Sequence, residues 1–69
     1  MNEIEVTTDY IKLDQFLKLA GVAQTGGHAK IIISEGQVKV NDVVAFERGK
    51  KIRKNDIVEI EDFDKFLVI

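Results

Sequence analysis

The chain contains no cysteine, no proline and no tryptophan, and it has a single histidine. Without Cys there can be no disulfide and no thiolate metal site. His28 by itself builds no metal centre unless carboxylates or a second chain join it. No apolar run approaches the roughly 20 residues of a membrane-spanning helix. Charge of one sign is not in large excess, because ten Lys and Arg stand against twelve Asp and Glu. The first residues, Met1–Thr8, are acidic and alternating, unlike a secretion signal, so a soluble cytoplasmic protein is expected. At 69 residues the expectation is one domain, residues 1–69, with no room for a second. A chain this short buries only about 60% of its unfolded surface, so each apolar residue matters.

What is present is charge sorted along the chain. Residues 12–54 hold nine Lys and Arg against four Asp and Glu, whereas both flanking stretches are acidic. Segregation of this kind predicts a basic face between acidic ends, although a mixed surface has the same composition. Ile4 and Val6 alternate with polar neighbours, as in a half-buried strand. Leu13, Phe16, Leu17 and Ala20 recur at helical spacing, with Gly21 placed to end the helix. Ala29, Ile32, Ile33 and Gly36 repeat the pattern, with Thr25 as N-cap and Gly36 as stop. The β-branched run Ile31-Ile32-Ile33 also fits a strand, but the bracketing cap and stop favour a helix.

Beyond Gly36 the period changes to two. Val38 and Val40, a turn at Asn41-Asp42, then Val43 and Val44 predict a hairpin. Arg48-Gly49-Lys50-Lys51 reads as a basic loop anchored by an inward Ile52, and Lys54-Asn55-Asp56 as a second turn. Ile57–Ile60 and Phe66–Ile69 are expected to close the sheet. The predicted class is α+β: two short helices packed on a small, mostly antiparallel β-sheet.

Catalysis is not indicated. His28 has no Cys anywhere in the chain and no Ser beside it to serve as nucleophile. The acidic residues Glu59, Glu61, Asp62 and Asp64 lack the alternation and glycine of a calcium loop, and so read as a solvated edge. No cofactor, metal site or small-molecule substrate is expected. Binding is a different matter. If Thr25 caps the second helix, the N–H groups of Gly26 and Gly27 lie in its first turn without intrahelical partners. The helix dipole favours an anion there, and two glycines admit a phosphate to the backbone, with Lys30 one turn further in. Taken alone, the glycine pair is also a flexible turn. The run Arg48, Lys50, Lys51, Arg53 and Lys54, and the polar side of helix one with Lys12, Gln15 and Lys18, are also solvated faces.

Together these stretches resemble the S4 RNA-binding domain family. Lys12-Leu13-Asp14-Gln15-Phe16-Leu17 is similar to its opening Arg/Lys-Leu-Asp-x-x-Leu motif. Gly21-Val22-Ala23 resembles its helix-to-helix turn, and Ala29-Lys30-x-x-Ile33 its second helix. Gly36-Gln37-Val38-Lys39-Val40-Asn41 matches its Gly-x-Val-x-Val-Asn entry to the hairpin. The resemblance covers about residues 12–59 and is nearest to small stand-alone bacterial members. It departs at Thr25-Gly26, where many relatives carry Ser-Arg, so one phosphate-binding arginine is missing. Asn41-Asp42 stands for a common Asn-Gly, and Asn55-Asp56 for a Gly-Asp, substitutions that bear on stability.

The resemblance implies that the first helix, the start of the second and the basic loop share one face. The implied RNA-binding residues are Lys12, Gln15, Thr25, Gly26, Gly27, His28, Lys30, Arg48, Lys50, Lys51 and Arg53. With Phe16 on the helix stripe and Phe46, Phe63 and Phe66 at strands, only Tyr10 is expected to offer an exposed ring. Single-strand readers depend on aromatic platforms, so phosphates and the shape of a folded RNA, ribosomal or tRNA-like, are the expected target. The competing expectation is an adaptor that docks this face on an acidic ribosomal or replication protein. An RNA-modifying role would need a further chain or domain.

Overall fold

The computed structural model describes the whole chain, Met1–Ile69, and it is α+β. Strand β1 (Asn2–Ile4) and a two-residue strand β2 (Ile11–Lys12) precede helix α1 (Leu13–Leu19) and helix α2 (Gly26–Ser34). Then come β3 (Val38–Val40), β4 (Val43–Val44), β5 (Lys51–Ile52), β6 (Ile57–Ile60) and β7 (Lys65–Val68). Five strands form one sheet in the order β1-β7-β6-β3-β4. Its pairings are antiparallel except β1 with β7, which is parallel. Neither helix is long and apolar enough to cross a membrane.

Both helices stop where a glycine takes up a left-handed conformation. At α1, Gly21 has φ +77°, Gly21 N–H donates to Lys18 and Val22 N–H to Leu17. At α2, Gly36 has φ +74°, Gly36 N–H donates to Ile33 and Gln37 N–H to Ile32. Each pair of bonds is a Schellman motif, which absorbs carbonyls that the helix end leaves open. The isoleucine run is therefore helical, with Ile32 and Ile33 buried and Ile31 exposed.

The sheet buries one face by alternation. Val38, Val40, Val58, Ile60, Phe66 and Val68 point inward and pack against Leu13, Phe16, Leu17, Ala29, Ile32 and Ile33. Phe16 meets Phe66 edge to face, with centroids 6.1 Å apart. The opposite face carries a cross-strand row, Val44 beside Lys39, Lys39 beside Glu59 and Glu59 beside Lys65. With Glu59 between Lys39 and Lys65, opposite charges directly across the ladder stabilise the row.

The hairpin turn tests the chemistry of individual positions. Asn41 and Asp42 both have positive φ, 51° and 71°, which a type I′ turn demands. Asn41 is tied at both ends of its amide: Nδ2 donates to Asp56 Oδ1 and Oδ1 accepts from Ile57 N–H. Asp42 has no such tie among the side-chain hydrogen bonds. Asp42→Gly is therefore expected to raise stability by about 0.5–1 kcal/mol, or several degrees in Tm. Asn41→Ala should lower stability by about 1–3 kcal/mol, since two bonds and a tolerated left-handed residue are lost. Thermal melts of the two variants moving in the same direction would contradict this account.

Candidate nucleic-acid interface

The second ladder, which no periodicity in the sequence announces, organises the basic residues. Strand β2 pairs antiparallel with β5, Ile11 opposite Ile52 and Lys12 opposite Lys51. Ile52 is fully buried, so its neighbours Lys51 and Arg53 turn to the outer side by strand alternation. Two lysines directly opposite each other on a ladder repel, an arrangement that is unfavourable until an anion comes between them. Tyr10, just before β2, lies beneath two of the charges. Lys51 Nζ is 4.9 Å and Arg53 Cζ 5.9 Å from the centroid of its ring. Cation–π attraction of this sort holds both heads in place without neutralising them.

The loop before β5 is drawn onto the start of α1. Leu13 N–H donates to Lys50 O at 2.9 Å, and Asp14 N–H to Arg48 O at 3.0 Å. Gln15 N–H donates to Asp14 Oδ1. At the start of α1 the Leu13 and Asp14 N–H groups are taken by loop carbonyls and that of Gln15 by the Asp14 carboxylate, so this helix start presents side chains rather than open backbone donors. Lys12 and Gln15 are exposed at that end, beside the chain segment that carries Arg48 and Lys50. The hydrogen-bonded carboxylates Asp14, Asp56 and Asp64 receive backbone N–H groups and asparagine amides rather than lysine or arginine heads.

The start of α2 is built as its residues suggest. Thr25 is extended and its Oγ1 accepts from His28 N–H at 3.1 Å. Ala29 N–H donates to Thr25 O. The N–H groups of Gly26 and Gly27 remain without an intrahelical acceptor. Neither glycine has the positive φ of Gly21 or Gly36. A Cβ at Gly26 would meet nothing within 4 Å, and one at Gly27 only Thr25 Oγ1 at 3.9 Å. Neither packing nor backbone conformation thus requires glycine at these positions. His28 and Lys30 are exposed on this helix. The two groups are linked through α1, which packs against both α2 and β5.

The aromatic rings depart from expectation. Tyr10 is 39% exposed and carries its cations, whereas Phe46 and Phe63 are 65% and 63% exposed. Both phenylalanines lie outside the strands, so alternation does not turn them inward. Phe46, Val43 and Val44 line an open groove of about 600 Å³ together with Lys50, Lys51 and Arg53. The signal for this surface was the run Val43-Val44-Ala45-Phe46, of which only Ala45 is buried.

A helical pair followed by a small sheet, with cations gathered at the start of the first helix, defines a class. The chain belongs to the S4 domain family, whose model matches residues 4–69. That span is wider than residues 12–59 and takes in β7 and the last residue of β1. Among similar proteins is the "Probable ribosome maturation protein RlbA" of Bacillus subtilis, 50% identical over 99% of this chain and 96% of the relative. A second is the "Putative RNA-binding protein YbcJ" of Escherichia coli, 44% identical over 62% of this chain and 61% of the relative. Among solved structures, the 30S ribosomal protein S4e of Thermoplasma acidophilum shares the fold, with a TM-score of 0.58. It is 22% identical, and the likeness covers 78% of this chain and 29% of that one.

Proposed function

We propose that this chain is an RNA-binding module that recognises structured RNA, ribosomal or tRNA-like, through phosphate and shape contacts from its basic face. The observation that carries the proposal is the unneutralised opposition of Lys12 and Lys51, with Lys51 and Arg53 held over Tyr10. A phosphate between the two lysines relieves their repulsion, and Arg48 and Lys50 extend the anion path along the loop. The glycine pair supplies a second contact, from backbone donors backed by the α2 dipole and Lys30. Membership of the S4 domain family and the names of its relatives point the same way.

Crosslinking in cells followed by sequencing of the attached RNA tests the proposal directly. Recovery of defined, structured segments is expected. Recovery of an acidic protein whose binding free structured RNA does not compete would favour an adaptor instead.

The α2 contact has its own test. Changing both Gly26 and Gly27 to Val should leave the fold intact, because a Cβ meets nothing within 4 Å at Gly26 and only an ordinary contact with Thr25 Oγ1 at Gly27. Affinity for structured RNA should fall about tenfold as bulk blocks phosphate approach. Thr25→Ala, the control, should cost about 1 kcal/mol of stability through the lost cap. Unchanged affinity in the double valine variant would remove these donors from the interface.

A further inference from the structure

The groove beside the basic loop has an apolar lining that phosphate binding alone does not use. Phe46, 65% exposed, and Val43, 68% exposed, line it together with the cations Lys50, Lys51 and Arg53. We propose that this groove is a subsite for one unpaired nucleotide of the bound RNA, whose base stacks on Phe46 while its phosphate meets Lys50 and Lys51. The proposal rests on the RNA-binding role above and adds a base contact to it.

Three observations favour this occupant. First, the Phe46 ring is braced rather than loose. Gly36, left-handed at φ +74°, has no side chain, and an ideal Cβ there would be 3.4 Å from Phe46 Cε1. The ring therefore leans on the turn after α2 and stays largely open to solvent, so little freedom is lost on stacking. Second, the volume of about 600 Å³ falls within the roughly 300–1,000 Å³ of sites that hold one small molecule. Third, the lining carries three cations, Lys50, Lys51 and Arg53, against two carboxylates, Glu47 and Asp56, an excess that favours a phosphate at the lysines.

The other rings fit less well. The cations over Tyr10 occupy its face. Phe63 is stacked on Phe66 and flanked by Asp62 and Asp64, which repel RNA. The polar groups of the groove also define what the subsite can read. Asn41 and Asp56 are already bonded to each other, and to Ile57 and Arg53 N–H groups respectively. With those groups engaged, stacking dominates and tolerates any base, as aromatic platforms do.

The probes are three RNA hairpins: one with a single bulged adenosine, the same bulge with an abasic ribose, and the fully paired stem. The protein is expected to bind the bulged adenosine about tenfold or more tightly than the abasic form. Phe46→Ala should abolish that preference while keeping the salt-dependent affinity for the paired stem, and Phe46→Trp should retain the preference. Circular dichroism of each variant checks the fold. Equal affinity of the parent for bulged and abasic hairpins overturns the subsite and leaves RNA binding standing. Failure to bind any of the three overturns both. If a glutamate-rich peptide containing phenylalanine shifts the Val43 and Phe46 resonances and the bulged hairpin does not, the groove belongs to a protein partner and the proposal fails.

Discussion

Replacing Lys50 and Lys51 together with Glu is expected to abolish RNA binding while leaving thermal stability within about 0.5 kcal/mol of the parent. Both side chains are exposed, so no packing is lost. The backbone of the loop, not its side chains, holds it to α1, through the Leu13 bond to Lys50 O. At position 51 two small effects oppose each other. A carboxylate opposite Lys12 turns a repulsive cross-strand pair into an attractive one, a gain of roughly 0.2–1 kcal/mol. The cation–π contact with Tyr10 disappears, a loss of about 0.5–1 kcal/mol. RNA meets a different balance, since two cations become two anions where phosphates approach. Thermal melts and fluorescence anisotropy with one structured RNA separate the outcomes. Parental affinity in a folded double variant would reduce the loop to a solvated face.

The second large effect is expected from salt. About four phosphate contacts, drawn from Lys12, Lys30, Lys50, Lys51 and Arg53, give a slope near −0.9 per contact on a log–log plot. Affinity should then fall on the order of a hundredfold between about 50 and 200 mM salt. Lys50→Ala should reduce the slope by about one unit and weaken all RNAs alike. Phe46→Ala should behave differently, lowering affinity for a bulged RNA by a similar factor at every salt concentration, because stacking releases no counterions. A nearly flat line for the parent protein would show that phosphates are not the main source of affinity.

Expectation and structure part at identifiable residues. The helices, their glycine stops, the Thr25 cap and the hairpin at Asn41-Asp42 were legible because each depends on neighbours a few residues apart. The turn at Asn55 was legible for the same reason, and its φ of 77° is the left-handed conformation that Asn tolerates. The β2–β5 ladder was not legible, because two residues cannot display a period and their partners lie about forty positions apart in the chain. The parallel pairing of β1 with β7 joins the two ends of the chain, again beyond the reach of local pattern.

The candidate site divides along the same line. Which residues are basic, where glycines replace bulk and which helix start is capped are properties of the sequence itself, since composition and short-range hydrogen bonding decide them. That Lys12 faces Lys51, that Tyr10 lies under Lys51 and Arg53, and that loop carbonyls occupy the donors of α1 were decided only by tertiary structure. The exposure of Phe46 belongs there too, because a phenylalanine just past an edge strand is buried or open according to what packs over it. Local pattern determines which elements form, and the burial of Ile52 and Phe16 in one core determines which charges those elements bring together.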